Sequence, residues 1–328
     1  MYYNLCMRTI PLPHTDLTVT SICLGSAEFG GMIDRATAEQ MLDAYLDAGG
    51  NFIDTARVYN NWIPGEKNRA EKLIGAWMKA RGSRTKVVLA SKGGHPDLES
   101  MLTPRLSREE ILGDLEGSLR DLQTDAIDLY WVHRDDKNRP VADILGTLEE
   151  AAQAGKIRYY AASNWGAERM QEAVDYAQQA GLRGFVATQV WWNAAVMERA
   201  KVPDTTVELM TPALFEFHRR SGMAAIPYTS QANGLFSRMA NGTLDGMNPG
   251  QRQGYPEEPN RRRFTVMQRI MAEQGLSVTQ VGLGYLLSQP FPVAPIVGCR
   301  NMAQLLDSLT AADVQLTPAQ VEEIAAIL

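Results

Sequence analysis

Four residues able to take part in acid–base chemistry follow three short apolar segments. Asp54 ends the first segment and Tyr59 comes soon after it, whereas Lys92 and His133 follow the next two segments. Taken singly, such an aspartate is often a helix cap, such a lysine is usually solvated, and a lone histidine is usually an ordinary polar residue. Because neighbouring parallel strands end at the same edge of a sheet, we expect the four side chains to converge.

This set of residues is suited to proton transfer. A tyrosine has a reference pKa of about 10, but a lysine ammonium at ~4 Å favours tyrosinate by about 4 kcal/mol at an effective dielectric constant of about 20, or roughly three pKa units. We therefore expect Lys92 to bring the pKa of Tyr59 toward neutrality, with Asp54 holding Lys92 and partly offsetting its effect. His133 would donate a hydrogen bond to the same substrate oxygen.

Short strands and longer helices must position these residues, and they alternate along the whole chain. The predicted strands are Ser21–Leu24, Asn51–Asp54, Lys86–Ser91, Ile127–Val132, Ile157–Ala162, Phe185–Val190, Ala224–Tyr228 and Val293–Val297. The predicted helices are Thr37–Ala48, Ala70–Ala80, Ser107–Leu122, Val141–Ala154, Ala167–Ala180, Thr206–Arg220, Arg262–Gln274 and Met302–Leu309. Thr37 and Ser107 are typical of helix starts, and Gly181 of a helix end.

Strands that are continuous apolar runs are typical of a parallel sheet covered by helices on both faces. Eight strand–helix units predict a single (β/α)8 barrel, a TIM barrel, over residues 1–328, with extra helices near the carboxyl terminus. A doubly wound open sheet is the alternative, but its Gly-x-Gly-x-x-Gly turn is not matched by Gly25-Ser-Ala-Glu-Phe-Gly-Gly31. Residues 8–20 are predicted to form a hairpin that plugs the barrel, and residues 233–260 a long loop, a candidate lid over cofactor or substrate.

Composition argues against several classes of protein. The 328 residues carry a formal charge of −6, which disfavours a nucleic-acid partner. No apolar run approaches the roughly 18 residues needed to cross a membrane, and Met1–Asp16 has no apolar signal segment, so we expect a cytoplasmic protein. Cys6, Cys23 and Cys299 are too far apart to predict a disulfide framework or a metal site. The oligomeric state stays open.

Over essentially its whole length the sequence resembles the aldo-keto reductase superfamily. The resemblance is carried by Asp-Thr-Ala-x-x-Tyr at 54–59, Ser-Lys at 91–92, Asp-Leu-Tyr-x-x-His at 128–133, Ser-Asn at 163–164, Gln189, and Pro-Ile-Val-Gly-Cys-Arg-Asn at 295–301. It implies hydride transfer from a nicotinamide cofactor, usually NADPH and less often NADH, to the carbonyl carbon of a small aldehyde or ketone. In that reaction Tyr59 would be the general acid, Lys92 and Asp54 would tune it, and His133 would orient the carbonyl.

The resemblance also implies which residues hold the cofactor. The nicotinamide end would contact Ser163, Asn164, Gln189 and, by stacking on the ring, Tyr228. The loop around the pyrophosphate is matched by Ser230, Gly234 and Leu235. The 2′-phosphate region is matched by Arg300, and the adenine contacts by Gln304, Asp307 and Ser308, although the usual Glu-Asn pair reads Asp-Ser here.

The substrate pocket departs most from the pattern. The segment Asn60–Asn68 is longer than the short Gly-rich link that the resemblance leads us to expect. Aromatic residues near strand ends either pack in the core or form the wall of a pocket. The candidates for the pocket are Phe29, Met32, Trp62, Trp165 and Trp192.

Other functions stay open at this point. A non-catalytic nicotinamide-nucleotide-binding sensor or regulatory subunit would share the fold, and a barrel lyase or epimerase is a further alternative. The segment 133–137, His-Arg-Asp-Asp-Lys, is similar to a kinase catalytic loop, but the other kinase motifs are missing from the sequence. Gly282-Leu-Gly284 lies in an apolar stretch and is typical of close helix packing.

Overall fold

The computed structural model describes residues 7–326, and its first element is a hairpin. β1 (Thr9–Pro11) pairs antiparallel with β2 (Thr18–Thr20), which confirms the predicted hairpin. Leu12, Leu17 and Val19 are buried among side chains of the barrel strands. Because apolar side chains of the hairpin join this cluster, the hairpin closes one end of the barrel interior.

Within the described residues, eight parallel strands form the central sheet. They are β3 (Cys23–Gly25), β4 (Phe52–Asp54), β5 (Val88–Gly93), β6 (Ile127–Val132), β7 (Ile157–Ser163), β8 (Ala187–Gln189), β9 (Ala224–Ala225) and β10 (Ile296–Val297). Each pairs with the next along the chain from β3 to β9, and β10 pairs with β3. A bridge between Val293 and Ala225 brings the two edges of the sheet together, which completes the predicted (β/α)8 barrel.

Helices surround this sheet. They are α1 (Arg35–Asp47), α2 (Arg69–Arg81), α3 (Arg108–Leu122), α4 (Val141–Gln153), α5 (Ala167–Ala180), α6 (Pro212–Ser221), α7 (Leu235–Ala240), α8 (Pro249–Arg252), α9 (Glu257–Gln274), α10 (Val278–Leu287), α11 (Met302–Leu309) and α12 (Pro318–Ala325). The bounds of α5 and α11 are those predicted from the sequence. The last helix, α12, is one of the expected extra helices near the carboxyl terminus.

The helix ends show where sequence patterns succeed and fail. Ser107 caps α3 as expected, since its side chain accepts a hydrogen bond from the Glu110 N–H. α1 starts before the predicted Thr37, because Asp34 is the residue that caps it. The predicted helix start at Thr206 is wrong: α6 begins at Pro212, where the fixed φ of proline suits the first turn.

The segment 233–260 is not one long loop. It contains α7, α8 and the first residues of α9. Leu235, Phe236, Met247 and Tyr255 are buried in a cluster that also contains residues of α9 and α10. The segment is therefore folded and packed rather than open.

Three findings concern the features that composition disfavours, namely membrane spans, metal sites and disulfides. No helix in residues 7–326 is both long and apolar enough to cross a membrane. In the same range no three His, Cys, Asp or Glu side chains meet as metal ligands. Cys23 and Cys299 are buried free thiols, and Cys6 lies outside the described residues.

A buried histidine links α6 to the barrel. The Nδ1 atom of His218 lies 2.8 Å from the carbonyl oxygen of Met223, so Nδ1 carries the proton, and Nε2 accepts a hydrogen bond from Thr188 at 2.8 Å. The imidazole also stacks on Phe291, with ring centroids 5.0 Å apart. Burial lowers the pKa of His218 to about 4, so the fold accommodates the neutral ring.

The protein should therefore lose stability as the pH falls below about 6.5. The unfolded chain protonates this histidine near its ordinary pKa of 6.5, whereas the folded chain does so only near pH 4. Between pH 7.5 and pH 5 the difference amounts to about 2 kcal/mol. Urea denaturation should show that wild type loses about 2 kcal/mol more over this range than His218→Gln, which cannot titrate. Equal losses would contradict this assignment.

Candidate active site

The carboxyl ends of three strands bring the four acid–base residues to one end of the barrel. Asp54 is the last residue of β4, Lys92 lies near the end of β5, and His133 directly follows β6. Tyr59 lies in the turn after β4, and its hydroxyl reaches Lys92. The structure thus brings together all four residues that were predicted to converge.

Lys92 is the centre of this group. Its ammonium donates hydrogen bonds to Asp54 Oδ2 at 2.5 Å, to the carbonyl oxygen of Thr55 at 2.8 Å and to Tyr59 Oη at 2.9 Å. These three bonds use all three ammonium protons. Because Tyr59 Oη accepts from Lys92, the phenolic proton of Tyr59 stays available for another acceptor.

Burial changes the acid–base properties of the group. The pKa of Lys92, which burial alone would lower, is raised above its ordinary value by Asp54 and Tyr59, so Lys92 is a cation. Burial raises the pKa of Tyr59, and Lys92 only partly offsets this. The expectation that the pKa of Tyr59 moves toward neutrality is therefore wrong, because the phenolate loses more hydration than the ammonium replaces. Tyr59 is a neutral phenol at neutral pH.

His133 completes the group as a neutral imidazole. Its ring lies edge-on to the Tyr59 ring, with centroids 6.1 Å apart. Burial lowers the pKa of His133 well below its ordinary value, and the nearby His95, Arg134 and Lys92 lower it further. A neutral imidazole has one N–H donor and one acceptor nitrogen, so His133 can donate one hydrogen bond to a ligand without adding charge.

Four further predicted residues meet beside this group. The Asn164 amide nitrogen donates to Ser163 Oγ at 3.0 Å, and Tyr228 donates its hydroxyl proton to Asn164 Oδ1 at 2.7 Å. The Gln189 amide nitrogen donates to Asp54 Oδ1 at 3.0 Å. These bonds orient two amide side chains and one aromatic ring next to the acid–base residues.

A cavity of about 790 Å³ extends from Tyr59 and His133 along the mouth of the barrel. The other predicted site residues that line it are Ser163, Asn164, Gln189, Tyr228, Ser230, Gly234, Arg300, Gln304, Asp307 and Ser308. Leu235 is not among the lining residues, and its side chain is buried in the apolar cluster of the segment 233–260. The cavity therefore connects the acid–base residues with most of the residues expected to hold a nucleotide.

The five candidates for the substrate pocket separate into two groups. Phe29 and Trp165 are buried in the main core and Trp192 packs against Phe291, so none of these three lines the cavity. Met32 and Trp62 are exposed, by 69% and 50%. Only the ring of Trp62 is near the acid–base group, at 6.4 Å from the Tyr59 ring.

Hydrogen bonds hold the unusually long segment Asn60–Asn68 in place. The Asn61 side chain donates to Asn68 Oδ1 at 3.2 Å and accepts a bond from the Asn68 N–H at 2.7 Å. The Asn68 amide nitrogen donates to Asp121 on α3 at 3.1 Å. The segment is thus fastened to a barrel helix, and it holds Trp62 beside Tyr59, which is a residue of the cavity wall.

Two arginines in the cavity wall escaped sequence reasoning. Arg134 follows His133, and Arg238 lies on α7. Arg238 is the only Lys or Arg between residues 221 and 251, and a lone cation in the predicted cofactor loop could have pointed to it. Within the part of the chain that the structure describes, neither Arg238 nor Arg300 forms an ion pair. Two unpaired cations in one cavity favour an anionic ligand.

Comparison with known proteins identifies the family. A profile described as the Aldo/keto reductase family matches residues 21–328. The chain is 31% identical to the uncharacterized oxidoreductase YrpG of Bacillus subtilis, over 93% of this chain and 91% of that protein. It is 31% identical to the NADP(+) aryl-alcohol dehydrogenase of Phanerodontia chrysosporium, over 94% and 83%. It is 29% identical to norsolorinic acid reductase B of Dothistroma septosporum, over 96% and 79%.

The chain therefore belongs to the aldo/keto reductase family, whose members are oxidoreductases that use nicotinamide cofactors. The cavity suits such a cofactor in the chemistry of its donors. Oriented amides and the Tyr228 ring lie at one end, and the unpaired Arg238 and Arg300 lie in the same cavity. A dinucleotide likewise has a flat amide-bearing ring and separate anionic phosphates.

The buried ion pair leads to a prediction about stability. Lys92→Met leaves the Asp54 carboxylate buried with Gln189 as its remaining side-chain partner, which should cost about 3–5 kcal/mol. Lys92→Met combined with Asp54→Asn removes both charges and should recover more than half of that loss. The measurement is urea denaturation of both variants and of Asp54→Asn alone, in the absence of cofactor. Strictly additive losses would show that the two charges do not interact.

Proposed function

We propose that this chain reduces the carbonyl group of an aldehyde or ketone to an alcohol, using NADPH. The observation that carries the proposal is the bond from the Lys92 ammonium to Tyr59 Oη, beside the neutral His133 in the wall of the cavity. This bond leaves a phenolic proton free next to a fixed cation. A reduced nicotinamide, when bound, supplies the hydride.

Each acid–base residue then has a distinct role. Tyr59 gives its proton to the carbonyl oxygen, and the high pKa of its phenol keeps that proton in place at neutral pH. Lys92 stabilises the negative charge that appears on Tyr59 Oη as the proton leaves. His133 donates its N–H to the carbonyl oxygen and orients it. Asp54 keeps Lys92 in position and balances its charge.

Four residues beside this group would hold the nicotinamide end. One proton of the Gln189 amide nitrogen is donated to Asp54, which orients the amide, and the amide oxygen would accept from a carboxamide. Ser163 and Asn164 present further polar atoms to the same cavity. The Tyr228 ring, tied to Asn164 through its hydroxyl, would provide the flat surface for the nicotinamide ring.

The rest of the cavity would hold the phosphates and the adenosine. The residues proposed here are Ser230, Gly234, Arg300, Gln304, Asp307 and Ser308, whereas Leu235 would support this part of the cavity from the apolar cluster behind it. Arg238 adds a second cation. NADPH is preferred over NADH in this proposal because the additional 2′-phosphate needs a guanidinium partner, and Arg300 has no competing carboxylate in the described residues.

On the substrate side, a half-exposed aromatic ring lies beside Tyr59. The Trp62 ring lies 6.4 Å from the Tyr59 ring, so it would contact a substrate whose carbonyl binds to Tyr59. Two relatives carry names that refer to reduction of norsolorinic acid and to aryl alcohols. We therefore include aromatic carbonyl compounds in the proposed substrate class, since an exposed indole binds flat rings well.

The test follows the absorbance of NADPH at 340 nm with a panel of aromatic aldehydes and ketones. Turnover above the blank supports a reductase. Tight binding of NADPH with no turnover on any carbonyl would instead favour a nucleotide-binding sensor or regulatory subunit. Failure to bind either NADPH or NADH would favour a barrel lyase or epimerase.

Tyr59→Phe should lower kcat for carbonyl reduction by at least about 10²-fold, equivalent to about 3 kcal/mol of transition-state stabilisation. The variant lacks the proton donor but keeps the ring. Affinity for NADPH should be nearly unchanged, because the proposed nicotinamide contacts are made by other residues. If chemistry is rate-limiting and the variant keeps more than about a tenth of kcat, Tyr59 is not the acid and His133 becomes the first candidate.

Arg300→Ala should raise the KM for NADPH far more than the KM for NADH. The reason is that only NADPH carries the 2′-phosphate that the guanidinium would bind. Steady-state kinetics with each cofactor measures the effect. Arg220→Ala, on the outer helix α6 and away from the cavity, is the matched control. Equal effects of Arg300→Ala on the KM values of both cofactors would show that Arg300 does not bind the 2′-phosphate.

A further inference from the structure

The His133 ring is not held by a hydrogen bond. Its Nδ1 atom is buried and has no partner among the residues that the structure describes. In many active sites the second imidazole nitrogen is bonded to a carboxylate or carbonyl group, and that bond sets the orientation and tautomer of the ring. Here the orientation of His133 must come from packing.

A second histidine packs against this ring. The centroid of the His95 imidazole lies 4.7 Å from that of His133, and the two planes meet at 68°, an edge-on contact. Tyr59 contacts His133 at a longer centroid distance of 6.1 Å. His95 is therefore the nearer of the two aromatic neighbours, and sequence reasoning did not single it out.

The position of His95 is itself well defined. Its Nδ1 lies 2.7 Å from the carbonyl oxygen of Pro96, so Nδ1 is the donor of a neutral ring. The His95 carbonyl oxygen accepts a hydrogen bond from Arg105 at 3.1 Å. The preceding Gly94 donates its N–H to Asp114 on α3 at 2.8 Å. His95 is thus anchored to a barrel helix and can fix a neighbour.

We propose that His95 is a positioning residue of this active site, whose imidazole holds the His133 ring in the orientation needed to bind the substrate carbonyl. The role rests on the proposed reductase function, because it acts through His133. By filling the space next to His133, His95 excludes water that would otherwise stabilise the imidazolium form of His133.

Most of the groups around the pair disfavour protonation of the two rings. Burial disfavours protonation of His133 most, and His95, Arg134 and Lys92 add to this effect, while the Tyr59 ring packs against the imidazole. His95 is affected by Arg134 and Arg105, with Asp204 acting in the opposite sense, and burial lowers its pKa to about 4. Both rings are therefore neutral at physiological pH, and replacement of His95 by another ring of similar size should preserve that state of His133.

The experiment compares His95→Ala with His95→Phe. His95→Ala removes the packing surface and should lower kcat at least about tenfold, with the KM for NADPH changed less than about twofold. It should also add a low-pH limb, absent from wild type, to the pH profile of kcat as the pKa of His133 rises. His95→Phe keeps a ring edge and should remain within about threefold of wild type in kcat, with a wild-type pH profile. Thermal denaturation confirms that both variants are folded.

A measurement without substrate separates this inference from the proposed function. The chain has only four histidines, so imidazole NMR signals can be assigned by single substitutions and the pKa of His133 followed directly. We expect His95→Ala to raise the pKa of His133 by at least about one unit relative to wild type and to His95→Phe. An unchanged pKa in His95→Ala, or equal changes in both variants, overturns the role of His95. If wild type reduces no carbonyl, the proposed function fails, and this pKa comparison still decides the inference.

Discussion

The rest of the site depends on a lysine ammonium enclosed within the barrel. The side chains of Lys92 and Asp54 are 0% and 1% exposed, and either charge buried alone would cost several kcal/mol. Lys92 is tolerated because three oxygen atoms accept its three protons, and Asp54 because Gln189 gives it a further hydrogen bond. These groups lie at the ends of β4, β5 and β8 and in the turn that carries Tyr59. The register of the neighbouring strands β4 and β5 brings the ion pair together, and the curled sheet brings Gln189 to it from β8.

The fold could be predicted where burial of a segment requires a simple pattern of apolar residues in the sequence. β6 is buried on both faces, so the run Ile127–Val132, apolar except for Asp128, marks its bounds. The predicted start of a helix at Thr206 failed because Leu209 pairs with Trp191 in a bridge, a contact between distant parts of the chain that no local pattern encodes. The segment 233–260 contains many Gly and Asn residues, which concealed two short helices. Packing of Leu235 and Phe236 stabilises α7, whereas α8 has no buried residue and is capped by the Asn248 side chain.

The site was predictable in position more than in chemical state. Strand ends were enough to bring Asp54, Tyr59, Lys92 and His133 together, because strand order follows chain order in this sheet. The direction of the pKa shift of Tyr59 was not predictable, because it depends on how much water the folded chain removes from the phenol. The sequence also did not show on which side an aromatic residue packs: Trp165 is buried in the core, whereas Trp62 is half exposed beside Tyr59.

Charge is distributed unevenly along the cavity. Around Tyr59 the charge of Lys92 is balanced by Asp54, and Tyr59 and His133 are neutral. Arg238 and Arg300, by contrast, have no carboxylate partner in residues 7–326 and suit a ligand that is anionic from the start. In the proposed reaction the substrate carbonyl is neutral when it binds, and negative charge develops only in the transition state. Because Lys92 contacts the carbonyl only through Tyr59, its charge acts most strongly as the proton leaves Tyr59 Oη, so the buried ion pair favours the transition state over the bound substrate.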